Sequence, residues 1–559
     1  MPGSRPSALS RRTFLAAGAA TVGAFATGGA IAAAAPDVLA EANTAGTTLA
    51  RAARPGGARA GGYRKLVAGP GWPLYVRQEL ATAKAGRSRT RNGLAAFVQL
   101  TDMHITDVQS PARFEYTHDL ITGSAFRPQE ALNTQGAVSL VNRINSLSGG
   151  PFSGRRFDAV VTTGDNTDNR ESVELDWFCK VLSGGSITPN TGAANRFEGV
   201  QNFGSTLYWQ PESAIRDIYK ERGYVQIPGY LRAAIAKHRS PGLNVPWYAV
   251  LGNHDDQYLG TIPNNILDDM YLWSVKLDVP ATNPAAGQIA QAMQSNPAAL
   301  GPLMAALRVS GPAYPVTPDS RRRPFSNQEF VRRHFDPALT GPGPVGHGFA
   351  APDGPTWYTF QIAPGVLGIA MNTCNSLGLS DGSIGDRQLR WIQRQITAHR
   401  DQLVIVFSHH TSDTMSAALP NPDTPGERQY DGTALVAMLA RHNNVIAWVN
   451  GHTHNNRLIP HRGSTAEHSF WEINTASHID FPQLARIVEV VDNADGTLSI
   501  FTPLIEADAP YTADESDLTP DGLASLYREL AYNDLHTDPE RIGKLTDRNC
   551  ELLLAHPLR

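Results

Sequence analysis

The sequence predicts an α/β fold in which helices cover a central, largely parallel sheet, and three observations carry that prediction. Seven short, nearly all-apolar runs recur: "AAFVQLTD", "FDAVVTTGD", "PWYAVLGNHD", "GVLGIAMNT", "QLVIVFSHH", "NVIAWVNGHTH" and "SFWEINTAS". Runs of that length, apolar on both alternations, are expected of strands covered on both faces. Between several of them lie helical patterns, as in "DRQLRWIQRQITAHR", where Leu389, Ile392 and Ile396 fall on one face, and in "TALVAMLARH". Five of the runs also stop at clusters of carboxylate, amide or imidazole groups, and in such sheets the ligand crevice lies beyond the carboxyl ends of the strands.

Taken in order, the chain opens with "SRRTFLAAGAA", paired arginines before a weakly apolar Ala/Gly run, and reaches the A-x-A-like "AAAAP" at Ala32 to Pro36. This resembles a twin-arginine signal peptide over residues 1–34. Gly23, Thr27, Gly28 and Gly29 dilute the run below what a bilayer span requires. Such a signal implies the twin-arginine export machinery as a partner and a periplasmic, wall-associated or extracellular location. Residues 35–93, rich in Ala, Gly and Arg, read as a flexible leader. The seven strands and their helices belong to a domain at 94–505, closed by the hairpin "ARIVEVVDNADGTLSIFTPL" with "NADG" as its turn. Two long Pro/Gly-rich stretches, 185–245 and 279–355, read as inserts that are either lids or disordered segments. Residues 506–559 read as a helical tail.

Composition narrows the function classes. A net charge of −4 offers no basic surplus for a nucleic-acid partner. Three widely spaced cysteines, Cys179, Cys374 and Cys550, make neither a disulfide framework nor a thiolate metal site. No segment after the signal is long and apolar enough to span a bilayer, and nothing in the sequence decides the oligomeric state.

The chemistry sits where the strands end: Asp102 and His104 after "FVQL", Asp165 and Asp168 after "AVVTT", Asn253, His254 and Asp255 after "YAVL", His409 and His410 after "VIVF", and His452 and His454 after "AWVN". Residues at i and i+2 of an extended strand share a face, so Asp102 with His104, and His452 with His454, are expected to converge. Singly, each group has an ordinary explanation: an Asx turn, a half-buried histidine, an asparagine that tolerates positive φ. Together, carboxylates and imidazoles gathered in one crevice need a bound cation to offset their desolvation.

In their order, D-x-H, GDxxD, GNHD, a strand-terminal His and GHxH resemble the calcineurin-like metallophosphoesterases, including secreted bacterial members with a twin-arginine signal. The resemblance covers roughly residues 94 to 505. It implies a two-sheet β-sandwich flanked by helices, four layers in all, with the metal site at the strand ends. It further implies two divalent ions, one held by Asp102, His104 and His454, the other by Asn253, His409 and His452, with Asp165 bridging. Hard oxygens and imidazoles without thiolate suit Mn, Fe, Zn or Co. The implied reaction is hydrolysis of a phosphomonoester or small phosphodiester by in-line attack of a metal-bridging hydroxide, with His254 as general acid and Asp255 as its orienting partner. A non-catalytic, metal-dependent binder of phosphorylated ligands is the alternative. Of His409 and His410, the resemblance points to the first as the ligand, because the family's histidine directly ends the strand. Asn166, Asp168 and Asn455 are candidates to fix the ligands from behind. Asp168 stands where purple acid phosphatases carry a tyrosine, so ferric-tyrosinate chemistry is not expected. His478 and Asp480 either reach the rim of the site or form a cap and a turn. Arg321, Arg322 and Arg323 either contact an anionic substrate or form a solvated run.

Overall fold

The structure is a computed structural model that describes residues 31–33, 42–118, 120, 121 and 123–559. The strands of its two large sheets run, in chain order, β1 Ile31–Ala33, β2 Tyr75–Arg77, β3 Asn92–Leu100, β4 Ala159–Thr163 and β5 Trp247–Val250. Then follow β6 Tyr358–Ala363, β7 Val366–Ala370, β8 Leu403–Phe407, β9 Val445–Asn450, β10 Arg457–His461 and β11 Phe470–Asn474. The chain returns through β12 Leu484–Asp492, β13 Thr497–Phe501, β14 Leu504–Glu506 and β15 Cys550–Ala555. The first sheet has the order β1-β2-β15-β13-β12-β3-β4-β5, with β14 also on β12, and the second the order β6-β7-β8-β9-β11-β10. All seven predicted runs are strands of these sheets. The sheets are mixed: β3, β4 and β5 run parallel, as do β7, β8, β9 and β11, whereas β12 lies antiparallel to β3 and β6 to β7.

The all-apolar runs are explained by what lies on each face. In β8, Leu403, Ile405 and Phe407 join a core shared with the first sheet, while Val404 and Val406 join a second core with helices α4 Asp386–Ala398 and α5 Gly432–Leu439. Alternate side chains of one strand thus enter two different apolar layers, so no position is left for a polar residue. Phe97 of β3 meets Phe407 of β8 edge-on with ring centroids 5.5 Å apart, which brings the two sheets together at the ends that carry the polar clusters. On the first sheet, α1 Asn133–Ser146 and α2 Ser172–Ser183 contribute Val141, Ile144, Phe178 and Val181 to the shared core.

Two of the expected boundaries are corrected. Residues 51–77 are not a flexible leader: Arg51–Ala58 and Arg64–Pro70 form an antiparallel hairpin, and β2 adds to the first sheet between β1 and β15. Few large apolar residues are needed there, because Leu66 and Tyr63 are buried and Arg77 is satisfied internally by Glu79 and by the carbonyl of Thr546. The C-terminal stretch is likewise only partly helical. Its helix α6 Pro520–Asn533 is followed by β15, which pairs with β13 and β2 inside the first sheet. The insert at 185–245 is ordered around Tyr208, Trp209, Tyr219 and Tyr230, which share a core with Tyr63 from the leader and Tyr527 from α6. The second insert carries α3 Pro284–Ser295 and a further helix, Leu300–Ser310, over a separate core built on Tyr258, Met270 and Trp273. Apart from Ile31–Ala33, which pairs antiparallel with β2, the proposed signal lies outside the described residues. Among the described residues no helix is long and apolar enough to cross a membrane, and the three cysteines are buried and free.

One buried histidine of the second insert makes the fold pH-sensitive. The Nδ1–H of His334 donates to the carbonyl of Phe330, and the ring lies among Phe330, Trp247 and Phe349. Burial, reinforced by His347, pushes it from 6.5 down to about 3. The unfolded chain therefore binds one more proton than the native one between those values. This contribution to stability is complete above pH 6.5 and is lost as pH falls, by roughly 1 kcal/mol per pH unit. In urea titrations His334→Phe should lose less stability between pH 7 and pH 5 than the wild type; equal losses would show that His334 is not held neutral.

Candidate metal centre

Each predicted site residue sits in a tight turn just past a strand end. Beyond β3 the backbone stays tied to the turn after β4: Asp102 N–H donates to Gly164 O, His104 N–H to Asp165 O and Ile105 N–H to Asn166 O. The strand-face argument for the i, i+2 pairs is corrected here, because Asp102, His104, His452 and His454 all lie outside the strands. They adopt the left-handed conformation instead, with φ of 50°, 44°, 71° and 57°, and Asp165 joins them at 48°. Such a conformation costs a non-glycine residue about 1 kcal/mol, less for Asp and His, and clusters of it mark functional turns. Gly451 lets the GHxH turn close onto β3: a Cβ there would sit 1.9 Å from Thr101 Oγ1 and 2.6 Å from Asp102 Oδ2.

The turns bring the seven predicted ligands together as two donor sets. In the first, the Nε2 atoms of His104 and His454 face each other at 3.3 Å, and Asp102 Oδ1 lies 3.3 Å from the latter. His104 Nδ1–H donates to Asp168 Oδ1 at 2.8 Å and His454 Nδ1–H to Asp480 Oδ2 at 2.6 Å, which leaves both Nε2 atoms as lone-pair donors. In the second, His409 Nε2 lies 2.8 Å from Asn253 Oδ1 and 3.1 Å from His452 Nδ1. The Asn253 amide donates to Gly260 O, so its oxygen is the atom that faces the site. Asp165 Oδ2 belongs to both sets, 3.5 Å from His104 Nε2 and 3.3 Å from His409 Nε2.

The residues fit cations. Oxygen and nitrogen lone pairs converge here, all on buried side chains save the half-buried His452, an arrangement that is repulsive unless positive charge lies between them. The titration behaviour expresses the same demand. Burial opposes it, but Asp165 attracts a proton strongly enough to push His409 up to about 9. Burial raises Asp165 in turn, and the neighbouring His409, His254 and His104 outweigh it, holding the carboxyl well below its usual range. His452, buried beside His409, is pushed down to about 3 and stays neutral. A metal ion would take the place of the proton on His409.

His410 also brings a ring nitrogen within 4.8 Å of His409 and His452, but His409 is the histidine whose Nε2 faces Asn253 and His452. The His410 ring lies 4.6 Å from that of His452, but Thr373 Oγ1 stands 2.8 Å from its Nδ1 and the Ser380 carbonyl 3.2 Å from its Nε2, so neither nitrogen is free. His254 lies at the edge, its ring 4.5 Å from that of His104. Its Nδ1–H donates to Asp168 O at 2.7 Å, so Nε2 carries the lone pair of the neutral ring, the form that burial favours, and hands on a proton only after taking one up.

Asp255 does not orient His254, and that expectation is corrected. Its carboxylate accepts from Gly252 N, Asn166 N, Asn166 Nδ2, Thr167 N and Thr167 Oγ1 at 2.9 to 3.2 Å. It therefore clamps the turn that carries Asp165. Asn166 takes part in that clamp, whereas Asn455 bonds only to Thr453 and reaches no ligand. His478 is buried with neither ring nitrogen bonded. Arg322 is buried against Asp107 and Thr191, while Arg321 and Arg323 pair with Asp319 and Glu329.

Behind the ligands lies a buried ionic chain that motif reading does not reveal. Arg113 pairs with Asp168 and, at 2.7 Å, with Glu130; Glu130 accepts from Arg127 at 3.3 Å; and Arg127 donates to Asp480 Oδ1 at 2.5 Å. His104 and His454 are thus tied together from behind through five charged side chains, among which only Asp168 and Asp480 carried a sequence signal.

No protein-family model matches the chain, and no curated protein matches it. Among solved structures, a dimetal phosphatase from Danio rerio overlaps with a TM-score of 0.32 at 10% identity, covering 74% of this chain and 100% of that one. The structure of PhoD overlaps with a TM-score of 0.28 at 10% identity, covering 78% of this chain and 70% of that one. Overlaps this loose carry no argument, so the chemistry is drawn from the side chains themselves.

The Asp255 clamp yields a direct test. Asp255→Ala strands several buried donors at once and should cost about 2–4 kcal/mol of stability in urea unfolding, with metal binding weakened through the released Asp165 turn. An unchanged unfolding midpoint would show that the clamp is not structural.

Proposed function

We propose that the chain is a dinuclear metal-dependent phosphoesterase of the calcineurin-like metallophosphoesterase superfamily, acting on a phosphomonoester or small phosphodiester. The observation that carries this reading is the Asp165 Oδ2 atom shared between two donor sets, since one carboxylate oxygen common to both is what a pair of neighbouring ions requires. Asp102, His104 and His454 would hold one ion, and Asn253, His409 and His452 the other. Their mixture of oxygen and imidazole donors suits Mn, Fe, Zn or Co in the divalent state. When bound, the ions would supply Lewis acidity and an activated water. Two carboxylates among the ligands leave such a centre net positive, the sign that attracts a phosphoester anion.

The chain's own groups divide the remaining work. Asp168 and Asp480 fix the tautomers of His104 and His454 so that Nε2 faces the ions. His254, held at Nδ1 by Asp168 O and partly open to solvent, would act as general acid in its doubly protonated form, giving the Nε2 proton to a leaving alkoxide and remaining as the neutral Nδ1–H ring. The two large sheets with helices against them support the four-layer sandwich of that superfamily. The "SRRTFLAAGAA" motif supports export by the twin-arginine route to the periplasm, wall or medium.

Chromogenic phosphomonoester and phosphodiester substrates, assayed with added Mn²⁺ and after chelation, provide the test. Turnover should need the metal, fall at least a hundredfold in Asp165→Asn, and fall about 10²–10³-fold in His254→Ala. Full activity in Asp165→Asn, or saturable binding of phosphorylated ligands with no turnover in the wild type, would overturn the enzymatic reading.

A further inference from the structure

The C-terminal segment between α6 and β15 passes directly behind the GHxH turn. Arg541 donates to Asp480 Oδ2, the same oxygen that accepts the Nδ1–H of His454. Its backbone acts at the same place, since Asn456 N–H donates to Arg541 O at 3.0 Å and Asn456 Nδ2 to Ile542 O at 3.2 Å, two residues beyond His454. Gly543 packs so closely that a Cβ would lie 2.5 Å from Asn456 O. A little further on, Leu458 N–H donates to Asp547 Oδ1 and Arg77 donates to Thr546 O, so the strap is fastened to both β10 and β2.

Resting on the metal centre proposed above, we propose that this strap is part of the metal site, with Arg541 a positioning residue that holds Asp480 and through it the His454 imidazole. Arg127 holds the other Asp480 oxygen, and between the two guanidinium groups the carboxylate stays ionised and immobile. An ionised Asp480 accepts the Nδ1–H of His454 and so keeps Nε2 free for a cation. Without Arg541 the carboxylate keeps only one cationic anchor, and the oxygen facing His454 is left with the long 3.4 Å contact from Arg127 Nη2. The effect is therefore one-sided. The set of Asp102, His104 and His454 depends on the strap, whereas the set of Asn253, His409 and His452 is supported by Gly260, Thr163 and Asp165 from other parts of the chain.

The experiment measures bound metal rather than turnover. Full-length wild type, Arg541→Ala and Arg559→Ala are stripped, equilibrated with Mn²⁺ alone and analysed by elemental mass spectrometry and by titration. Arg559 lies on the same tail but pairs with Asp492, remote from Asp480. Wild type and Arg559→Ala should bind two ions per chain. Arg541→Ala should lose one, its affinity for that ion falling about 10-fold or more while the other is unchanged. Arg541→Gln, which keeps most of the side chain's length, carries the same expectation if the alanine variant does not fold. Two ions bound by both Arg541 variants with wild-type affinity would overturn the inference and leave the metal centre standing. Loss of an ion in Arg559→Ala as well would transfer the effect to general loosening of the tail and overturn the role given to Arg541. A wild type that binds no Mn²⁺ would overturn both the centre and the inference.

Discussion

The arrangement depends on one electrostatic constraint: carboxylate, amide and imidazole groups are concentrated at one point, where the counter-charge among the described residues is a proton held by imidazoles such as His409 and not an arginine or lysine. Nε2 of His104, His409 and His454, Nδ1 of His452, Oδ1 of Asn253 and the carboxylates of Asp102 and Asp165 all face inward. The protein's own cations stand behind this front. Arg113, Arg127 and Arg541 pair with Asp168 and Asp480, and those carboxylates hold the far side of the two histidines. Guanidinium charge is thus spent on orienting ligands, and the charge at the centre is left to an exchangeable proton on His409. That asymmetry distinguishes a site awaiting cations from an ordinary buried salt-bridge network, where each carboxylate meets its counter-ion directly.

The same constraint accounts for the backbone. A straight strand cannot deliver two adjacent turn residues to two neighbouring centres, and five left-handed residues bend the chain at Asp102, His104, Asp165, His452 and His454. Each is strained in isolation, and the surrounding bonds over-determine it: Asp255 locks the Asp165 turn, and Asp102 accepts the His452 amide through both oxygens. Strain at the strand ends is borne by two sheets and a shared core, which are rigid because every position of strands such as β8 is buried.

This division also explains what was legible in the sequence. The strands were readable because burial on both faces leaves an all-apolar run, and the ligand residues because five such runs end in chemically similar clusters. The leader was misread because Arg51–Pro70 contains almost no apolar alternation, and its hairpin is held largely through contacts from distant segments, such as Glu506 to Ala53 N–H and Glu529 to Leu66 N–H. The tail was misread for the same reason, since β15 is only six residues long and becomes a strand through its partners β13 and β2. The resemblance implies Asp255 as the partner of His254, yet on one helical turn neighbouring side chains point apart, and the carboxylate finds donors across the turn instead. Arg113, Arg127 and Arg541 carry no motif at all. Their role follows from which carboxylates they reach in space.

Chain connectivity gives these distant contributions a common consequence. β15 lies between β2 and β13, so the first sheet is complete only when the leader and the C-terminus have both docked. The strap that leads into β15 passes Asn456 and Asp480 on its way. Closing the sheet therefore also seats Arg541, and ordering the His454 turn requires the last residues of the chain to have found their place. On the proposed role of Arg541, coupling of this kind would make the orientation of His454 a property of the fully folded chain, although the ligands themselves all lie within 94–505.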